Sequence, residues 1–231
     1  MANERIDRRT WMGRAVTGVG AGLVIGSVDL GAQSAAQAAP ATAATPAAAT
    51  FRPARHPQDA WLDAVPGKHR IVLDATSAEG AGQGIGYSNN VYNGNRTGYQ
   101  LENADIALVL VLRHDATAFA FNNAMWKKYG SVFAELTGYK HETEPGPPTS
   151  NPRNSGERPP LDRLAARGAH FIVCGLATGL YASQIAGPTG DRSAVYKELE
   201  SNMVANAHIM SAGVVGITRA QEYGYSMIYV G

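Results

Sequence analysis

The stretch His170-Phe171-Ile172-Val173-Cys174-Gly175-Leu176-Ala177 decides how the rest of the chain is interpreted. It is a short apolar run that ends on the single cysteine of the chain and continues into a glycine-containing turn. A continuous apolar run bounded by turn residues is typical of a strand buried on both faces of a parallel sheet. The stretch therefore predicts a central strand whose carboxyl end carries a thiol.

Four other stretches have the composition of strands, and they lie at 69–74, 105–112, 207–210 and 225–230. Apolar residues at helical spacing occur between them. They predict helices at about 84–95, 117–129 (with Thr117 as N-cap), 132–136, 160–168, from 178 to a break at Gly187, 193–206 and 214–223. This alternation predicts an α/β fold of the flavodoxin-like type. It is a single doubly wound, mainly parallel five-stranded sheet with helices on both faces.

The first 55 residues do not have the composition of a fold. Arg8 and Arg9 are followed by a weakly apolar stretch that contains five glycines, and then by the small-x-small sequence Ala36-Gln37-Ala38. This order predicts a twin-arginine signal peptide at 1–38 and a periplasmic or otherwise exported protein. Residues 39–55 are mostly Ala, Thr and Pro, which predicts a disordered linker before a domain at 56–231.

Charge excludes one class of partner. Residues 1–38 carry four Arg and three acidic residues, so the 20 basic and 19 acidic side chains of the chain fall to 16 of each without them. A neutral domain is not expected to bind nucleic acid. The broken apolar stretch before residue 38 is also a poor membrane anchor, so no stable membrane span is expected once the leader is cleaved.

Reactive side chains follow four of the five predicted strands. Asp74 ends the first, Arg113 and His114 follow the second, Cys174 ends the third and Ser211 follows the fourth. Ligands bind outside the carboxyl ends of the strands in doubly wound sheets. We therefore expect these residues to form a site, with Asn122 and Trp126 of the next helix as further candidates for substrate binding.

Each candidate also has a structural interpretation. Cys174 before a helix N-terminus favours a thiolate nucleophile, but a buried cysteine often serves as a small hydrophobic residue. The charge of Arg113 requires Asp74, Asp115 or an anionic substrate as partner. His114 is a candidate acid, base or ligand, or a strand-end residue bonded to the backbone. Asn122 and Trp126 are equally consistent with helix packing.

Three motifs are missing from the sequence. It has no C-x-x-C pair, no C-x-x-C-H haem attachment site and no H-E-x-x-H or paired Cys/His spacing for zinc. A single cysteine in an exported protein cannot form an internal disulfide. The sequence thus names neither a cofactor nor a metal, and Cys174 is buried, paired between chains or used chemically.

The segment 138–160 differs in composition from the rest of the domain. It contains six prolines and few apolar residues. It is longer than most connections in compact domains, so the sequence predicts an insertion that is either a functional cover or mobile.

From about residue 68 to 231, the chain resembles the DsrE/DsrF-like family of sulfur oxidation and sulfur relay. The resemblance rests on the order of elements, on 173–177 as the strand-to-helix cysteine motif, and on 112–114 with 119–129, which are similar to an exported subgroup. It implies a small α/β fold that assembles into homo-oligomers, trimers or hexamers, whose cysteine carries persulfide sulfur. The chain differs from the relay proteins in its predicted export and in the insertion.

Two functional hypotheses follow. In the first, Cys174 accepts sulfur from a sulfur-donor substrate, Arg113 and His114 stabilise the thiolate or an anionic donor, and the insertion covers the site. In the second, the protein is a periplasmic binding module without turnover that holds a small ligand, haem or a metal through His114 or Cys174.

Overall fold

Strand β2, Ile106–Leu112, forms the centre of the fold, and all seven of its residues are buried. The computed structural model describes residues 52–140, 145–157 and 160–231. In them β2 lies between β1 (His69–Ala75) and β3 (His170–Cys174), with β4 (Ala207–Met210) and β5 (Ser226–Tyr229) at the two edges. Neighbouring strands are all parallel, in the order β4-β3-β2-β1-β5. The predicted five-stranded parallel sheet is therefore confirmed.

Seven α-helices lie in the described part of the chain: α1 Trp61–Ala64, α2 Ala78–Tyr99, α3 Asn123–Thr137, α4 Pro160–Ala166, α5 Gly175–Ala186, α6 Arg192–Ser201 and α7 Gly213–Glu222. Short 3₁₀ helices occupy Pro57–Asp59, Asn103–Asp105 and His114–Ala120.

The strand order places the helices in two unequal layers. The chain crosses the sheet in one direction from β1 to β4 and then returns to place β5 beside β1, so α7 covers the opposite face from the earlier crossover helices. The larger core contains buried residues of α2, α3, α4, α5 and α6, and the smaller core contains those of α1 and α7. Helices on both faces are thus confirmed, with strand order reversing at β1 and β5.

Helix α2 is longer than the sequence indicates. Its glycines predict a short helix because each costs about 1 kcal/mol relative to alanine. The helix nevertheless begins at Ala78, where the Ser77 hydroxyl accepts a hydrogen bond from the Gly80 N–H at 2.9 Å. Gly84 is required by packing, since a Cβ there would lie 2.7 Å from Leu110 Cδ1.

The predicted helix at 117–129 is wrong at its start. Thr117 does not cap it but donates from its hydroxyl to the Leu112 carbonyl, inside the 3₁₀ helix. The N-cap of α3 is Asn122, whose side-chain oxygen accepts from the backbone N–H groups of Ala124 and Met125. Asn caps helices as well as Thr does. The residues predicted as a separate short helix at 132–136 belong to α3.

Hydrogen bonds hold the described part of the insertion against the rest of the domain. The fully buried side chain of Asn151 donates to the carbonyls of Phe119 and Phe121, both at 2.8 Å. Arg153 donates to the Ala78 carbonyl at the start of α2. The insertion therefore packs on α2, α3 and the 3₁₀ helix before α3, and these contacts do not place it over Cys174.

The predicted leader at 1–38 lies outside the described residues, as does the predicted linker at 39–55 except for its last four. Within those four, Arg55 stacks on the ring of Tyr223 at 3.8 Å from its centroid. No helix in the described ranges combines the length and the apolar character needed to cross a bilayer.

Candidate functional site

An ion pair joins the ends of β1 and β2. The Arg113 guanidinium donates to both carboxylate oxygens of Asp74, from Nε at 2.7 Å and from Nη2 at 3.0 Å. Asp74 is almost fully buried, whereas the side chain of Arg113 is 20% exposed. Of the three partners that the sequence left open for Arg113, the structure selects Asp74. The Asp74 carboxylate is thus already bonded by the protein and is not free to bind a substrate.

The aliphatic part of the Arg113 side chain packs against the start of α7. A Cβ at Gly213, the first residue of α7, would overlap the Cβ of Arg113, so only glycine allows this contact. The hydrogen bonds to Asp74 raise the pKa of Arg113, and the nearby charges of Tyr229 and Cys174 add to the increase. Arg113 is therefore a fixed cation within electrostatic range of the thiol.

Cys174 is both the last residue of β3 and the N-cap of α5. Its Sγ accepts a hydrogen bond from the Ala177 N–H at 3.5 Å, in the position where a serine or aspartate oxygen would cap a helix. The residue is 8% exposed, so its side chain is largely buried. The prediction that the cysteine immediately precedes a helix N-terminus is confirmed.

Tyr196 of α6 approaches the same turn. A Cβ at Gly175 would lie 2.8 Å from the Met210 carbonyl oxygen and 3.3 Å from the Tyr196 hydroxyl, so the chain after Cys174 is closely packed. Burial raises the pKa of Tyr196, and the charges of Glu200 and Cys174 raise it further. The neutral hydroxyl of Tyr196 is therefore a hydrogen-bond donor beside the strand end.

His114 lies apart from Arg113 although the two are consecutive. Its φ of +54° is in the left-handed region, which costs a non-glycine residue about 1–2 kcal/mol. The exposed imidazole lines a cavity of about 190 Å³ with Ala177, Leu180 and Tyr181 of α5. The described contacts include no hydrogen bond between His114 and Cys174. The sequence predicted His114 and Arg113 together at the thiol, but the structure places His114 in the cavity beside α5.

The remaining candidates do not join this cluster. The fully buried Trp126 donates from its indole N–H to the Ala118 carbonyl at 3.0 Å, and Asn122 caps α3. Both residues therefore have the packing role that the sequence left open. Ser211 accepts the Leu176 N–H on its carbonyl at 3.1 Å, but its side chain lines a different cleft beside Trp61.

Sequence reasoning missed Tyr196 and Tyr229. Tyr229 pairs in register with Asp74, and its hydroxyl lies 3.4 Å from that of Thr76. Its position at the end of the last predicted strand was a usable signal. Tyr196 could not have been found, because it comes from the middle of a helix whose rotation the sequence does not define.

Exposed apolar side chains surround the strand ends. The most exposed are Leu176, Leu180, Val214 and Tyr229, each more than half accessible. They come from α5, α7 and β5. Large apolar side chains that are exposed in one copy of a chain are candidates for burial against another chain.

The opposite ends of the strands are closed by packing. His170 is the first residue of β3 and His208 the second residue of β4, and their rings are joined by a hydrogen bond of 2.9 Å between Nδ1 and Nε2. Trp61 stacks on His208 with 3.8 Å between ring centroids. Burial lowers the pKa of His170, and burial together with His170 lowers that of His208 to about 4. Both histidines are therefore neutral near pH 7.

The described residues contain no group of three or more His, Cys, Asp or Glu side chains placed to hold a metal ion.

Comparisons with known proteins add little to this geometry. No family model matches the chain, and neither does any curated protein. Among solved structures, the protein of unknown function MTH1491 from Methanobacterium thermoautotrophicum is similar over 70% of this chain and 99% of its own. Its sequence identity is 13% and its TM-score is 0.40.

Proposed function

We propose that the protein is a sulfur carrier in which Cys174 accepts sulfane sulfur as a persulfide. The observation that carries the proposal is the position of the thiol. It ends a buried parallel strand, accepts a backbone N–H at a helix N-terminus and lies within the field of a fixed arginine. The positive end of a helix and a nearby cation both stabilise a thiolate, which is the nucleophilic form of cysteine.

The transfer requires a donor that carries sulfane sulfur, such as a persulfide or polysulfide. The Cys174 thiolate attacks the outer sulfur of the donor, a new S–S bond forms, and the donor's own S–S bond breaks. The donor leaves as a thiolate that takes a proton from water. The sulfur that moves keeps its oxidation state, so no external oxidant or reductant is needed. The single thiol suits this reaction because the product is a persulfide, not an internal disulfide.

The neighbouring side chains have distinct roles in this scheme. Arg113, fixed by Asp74, stabilises the anionic thiolate and persulfide. Tyr196 is a donor to the terminal sulfur, which would extend beyond the position of Sγ. His114 lies at the mouth of the cavity beside α5, where it can contact an approaching donor.

The proposal includes an exported homo-oligomer. The support for assembly is the exposure of four large apolar side chains, Leu176, Leu180, Val214 and Tyr229, which further copies of the chain would cover. Trimers or hexamers are the forms implied by the family resemblance. Residues 1–38 would direct export by the twin-arginine route.

The test is intact mass spectrometry of the full chain after treatment with sodium tetrasulfide. We expect a mass increase of one sulfur atom, located on Cys174 by peptide mapping and removed by dithiothreitol. Cys174→Ser should show no increase, while Arg113→Gln should load sulfur more slowly at neutral pH. The proposal fails if folded wild-type protein gains no sulfur, or if Cys174 resists iodoacetamide until the protein is unfolded.

A further inference from the structure

A second cleft lies beside β4, on the face of the sheet that α7 covers. It encloses about 360 Å³ between α7, the 3₁₀ turn at 57–59 and the start of α1. Cys174, Arg113 and His114 do not line it, although Met210 in its wall pairs in register with Cys174. The volume is within the range of small-molecule sites, which is about 300–1,000 Å³.

Asp59 supplies the charge of this cleft. Its carboxylate is more than nine-tenths buried and lines the cavity. The nearest cationic atom is Nε of Arg219 at 3.9 Å, which is beyond hydrogen-bonding distance. No donor among the described residues bonds the carboxylate oxygens. Asp59 is therefore in an ion pair with Arg219 that includes no hydrogen bond, so its carboxylate oxygens can still accept from an N–H donor of a ligand in the cleft.

Arg219 does not neutralise the cleft. Its Nη1 is committed to the Glu222 carboxylate, one turn further along α7. One guanidinium is therefore shared between two carboxylates, and this group keeps a net charge of −1. Arg55, the next cation along the surface, is stacked on Tyr223 and does not line the cleft.

Trp61 forms a rigid aromatic wall beside Asp59. One face of the indole is fixed by the stacked ring of His208, which is itself bonded to His170. The apolar side chains of Met210 and Val215 line the same cavity. An aromatic face next to a carboxylate attracts an ammonium group, and the apolar wall accommodates a hydrocarbon body.

We propose that this cleft binds a small primary amine, with the ammonium group donating to Asp59 and an apolar chain against Trp61. A primary ammonium fits better than a quaternary one because the Asp59 oxygens lack N–H donors. An anionic ligand is disfavoured by the net negative charge. The cleft is independent of the sulfur chemistry at Cys174.

The test uses n-pentylamine as probe, with the full-length protein, calorimetry and tryptophan fluorescence. We expect pentylamine to bind and to change the tryptophan emission, and Trp61→Leu should remove that change, which assigns it to Trp61 and not to Trp11 or the fully buried Trp126. Tetramethylammonium should bind more weakly, and 1-pentanol and pentanoate should not bind measurably. These comparisons use the wild-type protein and do not depend on the folding of any variant.

Two substitutions and a control locate the site. Asp59→Asn should weaken pentylamine roughly ten- to a hundredfold, the contribution of a hydrogen bond to a charged group. Trp61→Leu should weaken it about three- to tenfold. Asp63→Asn removes the same charge from an exposed side chain four residues away and should leave binding unchanged. Cys174→Ser should also bind normally, which separates this proposal from sulfur transfer.

The proposal is overturned if pentylamine does not bind, if pentanoate or pentanol binds equally well, or if Asp59→Asn keeps wild-type affinity. Thermal unfolding of each variant checks that a loss of binding is not a loss of fold.

Discussion

The polar side chains at the two ends of the same parallel sheet differ in charge and in exposure. At the carboxyl end, Arg113 is charged, one-fifth exposed and bonded to Asp74. At the amino end, His170 and His208 are neutral and bonded to each other beneath Trp61. Helix N-termini and apolar side chains surround the first end, whereas the second is closed by its own rings. The two histidines at the amino end are thus neutral near pH 7, whereas the Arg113 cation at the carboxyl end is held by its hydrogen bonds to Asp74.

Removing Arg113 gives the largest expected effect on this comparison. Arg113→Met leaves the buried Asp74 carboxylate without its two hydrogen bonds and should destabilise the protein by about 3 kcal/mol. Arg113 is partly exposed, so the value is taken at the low end of the range for broken buried pairs. The free energy of unfolding from urea titration at pH 7 measures it.

The double variant Asp74→Asn with Arg113→Met is the control for the ion pair. It removes both charges and should recover much of the lost stability. Lys128→Met breaks an ion pair with Glu198 on the surface and should cost far less. Equal losses in Arg113→Met and Lys128→Met would show that the strand-end pair is no more than a surface contact.

The second prediction concerns the packing of Arg113 on α7. Gly213→Ala forces a Cβ into the Cβ of Arg113, and overpacking of this kind should cost about 2 kcal/mol. The substitution should also slow sulfur loading at Cys174, because it displaces the cation. Urea titration and loading with tetrasulfide measure the two effects.

Gly86→Ala in α2 is the matched control for Gly213→Ala. Nothing lies within 4 Å of a Cβ at Gly86, so alanine should stabilise the helix by about 0.5–1 kcal/mol. If Gly213→Ala were as harmless as Gly86→Ala, α7 would not hold Arg113 in place.

Most of the fold could be read from the sequence, since apolar runs such as 106–112 have the unbroken pattern of strands covered on both faces. The ends of the helices were harder to predict from the sequence. The glycines of α2 suggest a weak helix, and the close approach of Leu110, which explains Gly84, is visible only in the structure. The cap of α3 depends on whether Thr117 or Asn122 meets free N–H groups, and both residue types are suitable.

The site was predictable as far as topology determines it. The sequence placed Asp74, Arg113 and Cys174 at one edge of the sheet, because the carboxyl ends of parallel strands meet there. It could not separate His114 from Arg113, since that depends on one left-handed residue. Nor could it find the cleft of Asp59 and Trp61, which is formed by a short segment before the first strand packing against α7.

The smallest expected effect is the response of the amino end to acid. The pKa of His208 falls from 6.5 to about 4 in the folded protein, so below pH 6.5 the unfolded chain binds the proton more readily. Stability should therefore be full above pH 6.5, decline as the pH falls and level off near pH 4. Because the ring is only half-buried, we expect a loss of about 1–2 kcal/mol, below the full linkage value. Urea titrations across this range measure it.

His208→Phe separates this effect from the titration of carboxylates at the other end of the sheet. It keeps an aromatic ring against Trp61 but cannot take up a proton, so its stability should change less between pH 6.5 and 4 than that of the wild type. An unchanged slope in His208→Phe would mean that the stacked rings do not sense acid. The contrast between a closed amino end and a charged carboxyl end would then rest on the Asp74–Arg113 pair alone.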